Sequence, residues 1–315
     1  MKLALAGDTM LGRCVAARLG EAPPRSLFAP ELVAAAREAD LCLVNLECCI
    51  SERGRPAPRR VFHFRAPPVA AEALAHFGVD CVTLANNHAL DFGPEALLDT
   101  LAHLSAAGIR SVGAGPDEQS ARAPVLLEAG GERLRVVALS DHPAEDAARH
   151  GRPGIAFAEL AQGEIPDWLL GAIRGAGPDP VLVSPHWGPN MVAEPVRHVR
   201  RAAAALEEAG ATLVAGHSAH VCHGVAGRVL FGLGGLLDDY CVDPLLRNDL
   251  GLLWLVELEG SRPTRLETLP LKLDYCHTRL ADGEEAAWIL GRVREACAAL
   301  GTEAREEAGR LLVDL

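Results

Sequence analysis

Ala211-Thr212-Leu213-Val214-Ala215-Gly216-His217-Ser218-Ala219-His220 sets a short apolar run directly before a glycine and two imidazoles. Such a run, closed by glycine, predicts a buried strand with both histidines on the loop that leaves its end. In α/β proteins that end of a sheet is where ligands and metals are held.

Four more segments repeat the arrangement. Leu3 to Ala6 leads to Gly7-Asp8-Thr9-Met10, and Leu41 to Val44 leads to Asn45-Leu46-Glu47. Cys81 to Leu84 leads to Ala85-Asn86-Asn87-His88, and Val181 to Ser184 leads to Pro185-His186-Trp187-Gly188. Five strand ends thus offer Asp, Glu, Asn and several His, a set that suits a divalent transition metal better than Ca²⁺ or a thiolate-bound Zn²⁺.

Between these strands the apolar spacing turns helical. Pro94 to Ala107 carries Leu97, Leu98, Leu101 and Leu104, opens on Pro and Glu, and is followed by Gly108. Val196 to Ala209 repeats the pattern between His186 and the Gly216-His217 loop. Alternating strands and helices predict helices on both faces of a sheet. From Val125 onward strands follow more closely, as at Leu134 to Leu139, Arg228 to Phe231 and Leu252 to Leu258, which predicts a second, more antiparallel sheet. The expected fold is therefore an α/β, four-layer α/β/β/α sandwich. Residues 52–60 and 142–154 read as exposed loops. Residues 1–280 form the expected domain, and 281–315 a helical extension packed on it, with one or two amphipathic helices between Gly283 and Gly309. Two roles are open to that extension: a cover over the core, or a homodimer contact.

The chain has 315 residues, 49% of them hydrophobic, enough for one large core. Only 4% are aromatic, so that core is built of Ala, Leu and Val. A net charge of −12 argues against nucleic acid or an anionic membrane as partner, since both require clustered Lys and Arg. Asp8 interrupts the first apolar stretch too early for a signal sequence or a membrane span, so a cytoplasmic location is expected. The nine cysteines, odd in number and without a CxxC pair, agree. Most read as small buried apolar residues, the vicinal Cys48-Cys49 included.

The ordered motifs GDTMLGR, NLE, FRAPP, LANNHALDFG, GAG, HWG and GHSAH, with LDDY beyond them, resemble the CapA family of bacterial capsule and poly-γ-glutamate proteins. That family belongs to the calcineurin-like metallophosphoesterase superfamily, and the resemblance spans roughly residues 1–260. It implies a metallophosphoesterase-like fold. It also implies that Asp8 and His220 serve one metal, that Glu47 bridges, and that Asn87, His186 and His217 hold a second. The expected cofactor is one or two ions of Mn, Zn, Fe or Co. His88 is implied as the imidazole that moves a proton beside the reacting atom, a task its near-neutral pKa suits.

Two departures from the superfamily pattern matter. Met10 stands where a histidine ligand is expected, and a thioether is a poor ligand for hard cations, so the first metal is one ligand short. GHSAH also spaces its histidines by two residues rather than one, which makes His223 a rival of His220 and a candidate acid or base. Asp91 reads either as a cap of the helix near Pro94 or as a catalytic carboxylate. Asp238 and Asp239 read as outer supports of a metal-bound histidine or as solvated loop acids. Arg13 reads either as a binder of a substrate carboxylate or as a surface arginine, and Trp187 either as a lid or substrate-stacking wall or as a core residue. No serine or cysteine has the partners of a nucleophile.

The resemblance reaches hydrolases of amide-linked glutamate and also a peptide epimerase of lasso-peptide biosynthesis. A metal that polarises a carbonyl opens it to water, and it equally acidifies the neighbouring Cα–H. With the first metal one ligand short, Cα epimerisation of a peptide is preferred over hydrolysis of amide or phosphoester bonds. The substrate is a peptide or poly-amino-acid. A non-catalytic metal-binding scaffold in capsule polymer assembly is the alternative outside the enzymes.

Overall fold

The computed structural model describes every residue except Arg59 and Gly163. Its strands form two large stacked sheets. In the ten-stranded sheet, Lys2–Thr9 lies between Leu41–Leu46, which runs parallel to it, and Leu250–Glu259, which runs antiparallel. Cys81–Thr83 and Arg110–Val112 continue the parallel half. In the six-stranded sheet, Glu132–Ser140, Val181–His186, Leu213–Ala215 and Val229–Leu230 are successive parallel neighbours.

Side-chain alternation sorts these strands into layers. Leu3, Leu5, Leu41 and Leu43 face Val136, Ala138, Leu182 and Leu213 across the space between the sheets. Ala4, Ala6 and Val44 face the other way, onto helices that supply Val15, Leu32, Leu74 and Leu97. Val137, Leu139 and Val183 pack under Leu169, Ile173, Val199 and Leu206. The result is an α/β/β/α sandwich of four layers.

Three details differ from the sequence expectation. The antiparallel strands belong to the far half of the first sheet, whereas the second sheet is parallel at its centre. Val125–Ala129 and Val225–Ala226 are its antiparallel edges. The C-terminal extension is half helix: Gly283–Ala299 buries Ile289, Leu290, Val293 and Cys297, and then Arg305–Glu307 and Arg310–Asp314 form a hairpin. The second strand of that hairpin pairs with Arg262–Asp274, so the tail extends the ten-stranded sheet. Finally, Gly93–Ala106 is capped by Phe92 with no side-chain bond, so Asp91 is not its cap.

Two glycines allow close approaches that aim the ligand loops. A Cβ on Gly7 would lie 1.8 Å from the carbonyl oxygen of Gly234, so only glycine lets the strand end lock there. Asp8 N donates to that same carbonyl at 2.9 Å. A Cβ on Gly216 would meet the Trp187 indole nitrogen at 2.3 Å.

Candidate metal centre

The five strand ends bring Asp8, Glu47, Asn87, His186, His217 and His220 to one end of the sandwich. Asp8, Glu47 and His220 offer ligand atoms within metal-binding distance of one another, and so do Asp8, His186 and His217. His186 Nδ1 lies 3.4 Å from Glu47 Oε1, while His220 Nδ1 lies 3.8 Å from Glu47 Oε2 and 2.8 Å from Asp8 Oδ2. The two oxygens of Glu47 therefore face different imidazoles, an arrangement suited to a carboxylate shared by two cations.

Polar neighbours fix the orientation of these ligands. Asn45 Nδ2 donates to Asp8 Oδ1 at 2.8 Å, and Asn45 Oδ1 in turn accepts from Thr83 Oγ1 and Asn86 Nδ2, both at 3.0 Å. Because the Thr83 hydroxyl proton is spent on Asn45, Thr83 faces His217 Nε2, 3.4 Å away, as an acceptor. Ser184 Oγ lies 3.2 Å from the same nitrogen. His217 thus keeps its proton on Nε2 and turns a bare Nδ1 to the cluster, the outer-partner pattern of metal-binding histidines. That Nδ1 lies 2.9 Å from His186 Nδ1. The loop itself is strained, with Ser218 at φ +110° and His220 at φ +58°, left-handed values unusual for residues with a side chain.

The donor atoms fit a divalent metal on a direct observation. Asp8 Oδ2, both oxygens of Glu47, Asn87 Oδ1 and His220 Nδ1 are buried yet have no hydrogen-bond partner. His220 Nδ1 is close to Asp8 Oδ2, but the two are not aligned for a hydrogen bond. Buried polar atoms are rarely left so, and carboxylate, amide and imidazole donors together suit Mn, Fe, Co or Zn.

Without a cation, protons fill the role. Burial, then the nearby charge of Asp8, pushes Glu47 well above the usual carboxylate range. Burial opposes charging of His220, but the carboxylates of Glu47 and Asp8 win and lift it to about 9. Burial alone would raise Asp8, but the neighbouring His220 imidazolium outweighs it and holds the carboxyl low. Burial keeps His217 down at about 4 and His186 well below its ordinary value, so both present neutral rings. Raised groups hold protons that a metal must displace. Metal uptake at neutral pH is therefore expected to release protons, and affinity to climb with pH through about 9, where His220 gives up its proton. Titrating Mn²⁺ into chelator-treated protein in weak buffer checks this; uptake without acidification would contradict it.

Met10 is not at the site. It is fully buried in the helix-side core, and its Sδ accepts from Gly12 N at 3.0 Å. His220 stands beside Asp8 and Glu47, so that group has the imidazole expected of His220 and none in place of Met10.

His88 projects beside this cluster. Its Nδ1 pairs with Asp91 Oδ2 at 2.7 Å, and its ring lies against Phe64. The same Asp91, fully buried, also accepts from Phe64 N at 2.7 Å and from Arg60 at 2.6 Å. Asp91 is accordingly a positioning residue rather than a catalytic one. Two further candidates lie away from the reacting end of the site. His223 is turned away, with Nε2 on the carbonyl of Val192 at 2.9 Å, and is neither rival ligand nor proton carrier. Trp187 is a core residue, stacked near Phe231 and donating to its carbonyl at 3.0 Å, not a substrate wall. Asp238 and Asp239 are both buried, and neither bonds a histidine; Asp239 accepts from Cys14 N and pairs with Arg13 at 2.9 Å.

Several residues at the site went unread in the sequence. Arg60, from the loop expected to be exposed, bridges Asp91 and Asp146 and reaches the carbonyl of Asn87. Asp141 pairs with His142 Nδ1 and, at 3.1 Å, with His198 Nε2. Asp141, His142 and His198, with His88, His186 and His220, line a cleft of about 550 Å³. Asp141 and His142 directly follow the strand Glu132–Ser140, so the strand-end rule applied to Leu134–Leu139 would have located them.

Residues 2–240 match the family model described as bacterial capsule synthesis protein PGA_cap. A protein of Mycobacterium tuberculosis described as a "probable polyglutamine synthesis accessory protein" is 34% identical over 268 residues, 79% of this chain and 70% of its own length. The PGA biosynthesis protein CapA of Bacillus subtilis is 26% identical over 242 residues, 74% of this chain and 62% of its own. A hypothetical protein of Thermus thermophilus, solved by crystallography, superposes with a TM-score of 0.51 at 17% identity, covering 87% of this chain and all of that one, a likeness of fold alone. Among the described residues no helix is long and apolar enough to cross a membrane. With its ordered motifs, its layered sheets and its match over residues 2–240, the chain belongs to the bacterial capsule synthesis family PGA_cap, the CapA-like proteins.

Proposed function

We propose that the chain is a divalent-metal-dependent hydrolase of amide bonds in an acidic poly-amino-acid of polyglutamate type. The carrying observation is the convergence of partnerless buried oxygens from Asp8, Glu47 and Asn87 with three imidazoles, beside a His88–Asp91 pair in one cleft. The substrate class comes from the relatives, whose descriptions name polyglutamine and PGA synthesis. Asp8, Glu47 and His220 would hold one ion, and Asn87, His186 and His217 another, with Glu47 between them.

A divalent metal bound there supplies polarisation of the scissile carbonyl and a lowered pKa for water. The protein supplies the proton traffic. Asp91 keeps the Nδ1 proton of His88, so Nε2 is the nitrogen left to exchange a proton with the departing amine. Arg60 pairs with Asp91 at 2.6 Å and holds that side chain in place behind His88. The nine free cysteines agree with work in a reducing compartment such as the cytoplasm.

Cα epimerisation is a second reading, favoured by one observation. His142, paired with Asp141, is another carboxylate-bound imidazole lining the cleft that holds His88, and inversion of a stereocentre uses two bases. Incubating Mn²⁺-loaded protein with γ-linked glutamate oligomers in D₂O separates the outcomes by mass spectrometry. Hydrolysis shortens the chain. Epimerisation incorporates deuterium at unchanged length. Intact, unlabelled oligomers would leave a metal-binding scaffold in polymer assembly and sink both enzymatic readings.

A further inference from the structure

We infer that Arg13 is the anchor of a second subsite, adjoining the metal cleft, that binds a carboxylate of the substrate chain. The inference rests on the reading of an acidic polymer as substrate. Next to the main cleft lies a second cavity of about 300 Å³, and the two share His88, Asn190 and His220. A chain whose reacting bond lies at the metal centre therefore has room to continue past His88 and His220 toward Arg13.

Arg13 is held for this purpose. Its backbone sits at φ +51°, a left-handed conformation rarely adopted by a residue with a side chain, at the start of the helix Arg13–Glu21. Its Nη2 pairs at 2.9 Å with Asp239, whose side chain is wholly buried and is itself anchored on Cys14 N at 2.9 Å. Phe62, Phe64 and Tyr240 flank the guanidinium, with ring centres 5.7 to 5.8 Å from its carbon. Aromatic faces and one fixed carboxylate restrain the fork without using all of it: the hydrogen bonding found for Arg13 involves Nη2, while Nε and Nη1 have no protein partner among the described residues. These remaining N–H groups can donate to a ligand carboxylate while Nη2 stays on Asp239. The guanidinium of Arg60, also at the site, is already spent on Asp91 and Asp146. In a chain of net charge −12, this preorganised cation marks where an acidic substrate residue is tolerated.

Asp239 also explains why arginine is needed. Lysine would keep the charge but would lose the fork that spans Asp239 and a ligand together.

The test is calorimetric binding to the Mn²⁺-loaded full chain carrying His88→Gln, which suppresses turnover. Two probes are compared: a γ-linked glutamate trimer, and the same trimer with its carboxylates converted to primary amides. The acid is expected to bind roughly ten- to a hundredfold more tightly than the amide, the range of a charge-assisted pair. Arg13→Gln should erase most of that preference, and Arg13→Lys should retain part of it. Because Arg13→Gln strands the buried Asp239, the double variant Arg13→Gln/Asp239→Asn is measured as well and should behave alike. A preference unchanged in both Arg13→Gln variants would overturn the assignment, as would a parent protein that binds the two probes equally or binds neither. Tight, Arg13-dependent binding in a protein that cleaves nothing would leave the subsite standing and defeat the hydrolase reading alone.

Discussion

Changing His217 to alanine is expected to strip the second metal position and to abolish turnover in a protein that still folds. Its ring is wholly buried, is held neutral by burial, and turns Nδ1 toward Asp8 and His186 while Nε2–H is fixed by Ser184 and Thr83. Its side chain lies at a loop start beyond Leu213–Ala215 and is not part of the three apolar clusters that hold the layers together. Loss of a supporting partner around a metal ligand costs about 10- to 100-fold in affinity or activity. Loss of the ligand itself should exceed that, so turnover is expected to fall by well over a hundredfold. Thr83→Val, which removes only the acceptor behind His217 and the donor to Asn45, should stay within the smaller range. His186→Ala should behave as His217→Ala does. Elemental analysis after dialysis, beside circular dichroism to verify folding, decides the matter. Unchanged metal content in both alanine variants would remove the two histidines from the site.

How much of this was legible beforehand follows from how each residue is encoded. Asp8, Glu47, Asn87, His186 and His217 each lie shortly after a short apolar run, with His220 on the same loop as His217, and a buried parallel strand declares itself by such a run. Convergence then follows from topology, because parallel strands deliver their ends to one side of the sheet. Arg60 has no such marker. It sits in a Pro- and Arg-rich loop, and its partners Asp91 and Asp146 are 31 and 86 residues away, a pairing that local pattern does not contain. The directions of Trp187 and His223 escape local pattern for a related reason. Position after a strand says that a residue is near the site, but not which way it points. Trp187 follows the inward His186 and so turns to the opposite face, where it packs over Phe231. His223 lies past the left-handed turn at His220 and returns to the backbone of Val192. The tail was misread because Arg305–Asp314 is too short for its period to separate helix from strand, whereas its pairing with Arg262–Asp274 is long-range.

The Asn86-Asn87-His88 segment shows how three adjacent polar residues divide their work. Asn86 is entirely structural: its amide donates to Asn45 Oδ1 and to the carbonyl of Leu46, and its own oxygen accepts from His88 N at 3.0 Å. Asn87 leaves its side-chain oxygen buried and partnerless. His88 is turned instead toward Asp91 and Phe64.

His88→Ala is therefore expected to keep its metal and its fold while losing turnover by about 10²- to 10⁴-fold, the usual worth of a positioned acid or base. His88 is outside both groups of potential ligands, so nothing in the metal geometry depends on it. His88→Gln, which can still bond Asp91 but has no group that takes up or gives off a proton near neutral pH, should be nearly as inactive. That result would separate proton transfer from mere support of the loop. Asp91→Asn should fall between: the ring of His88 loses the carboxylate that fixes its Nδ1 proton, and Arg60 loses one of its two anionic partners. Asn87→Ala should do the opposite of His88→Ala, giving up metal along with rate. Metal content and turnover measured side by side on these four proteins discriminate the roles. A fully active His88→Ala would move the proton to another group of the cleft, with His142 the next to test. A His88→Ala protein that loses its metal would make His88 a ligand and end the division of labour drawn between it and Asn87.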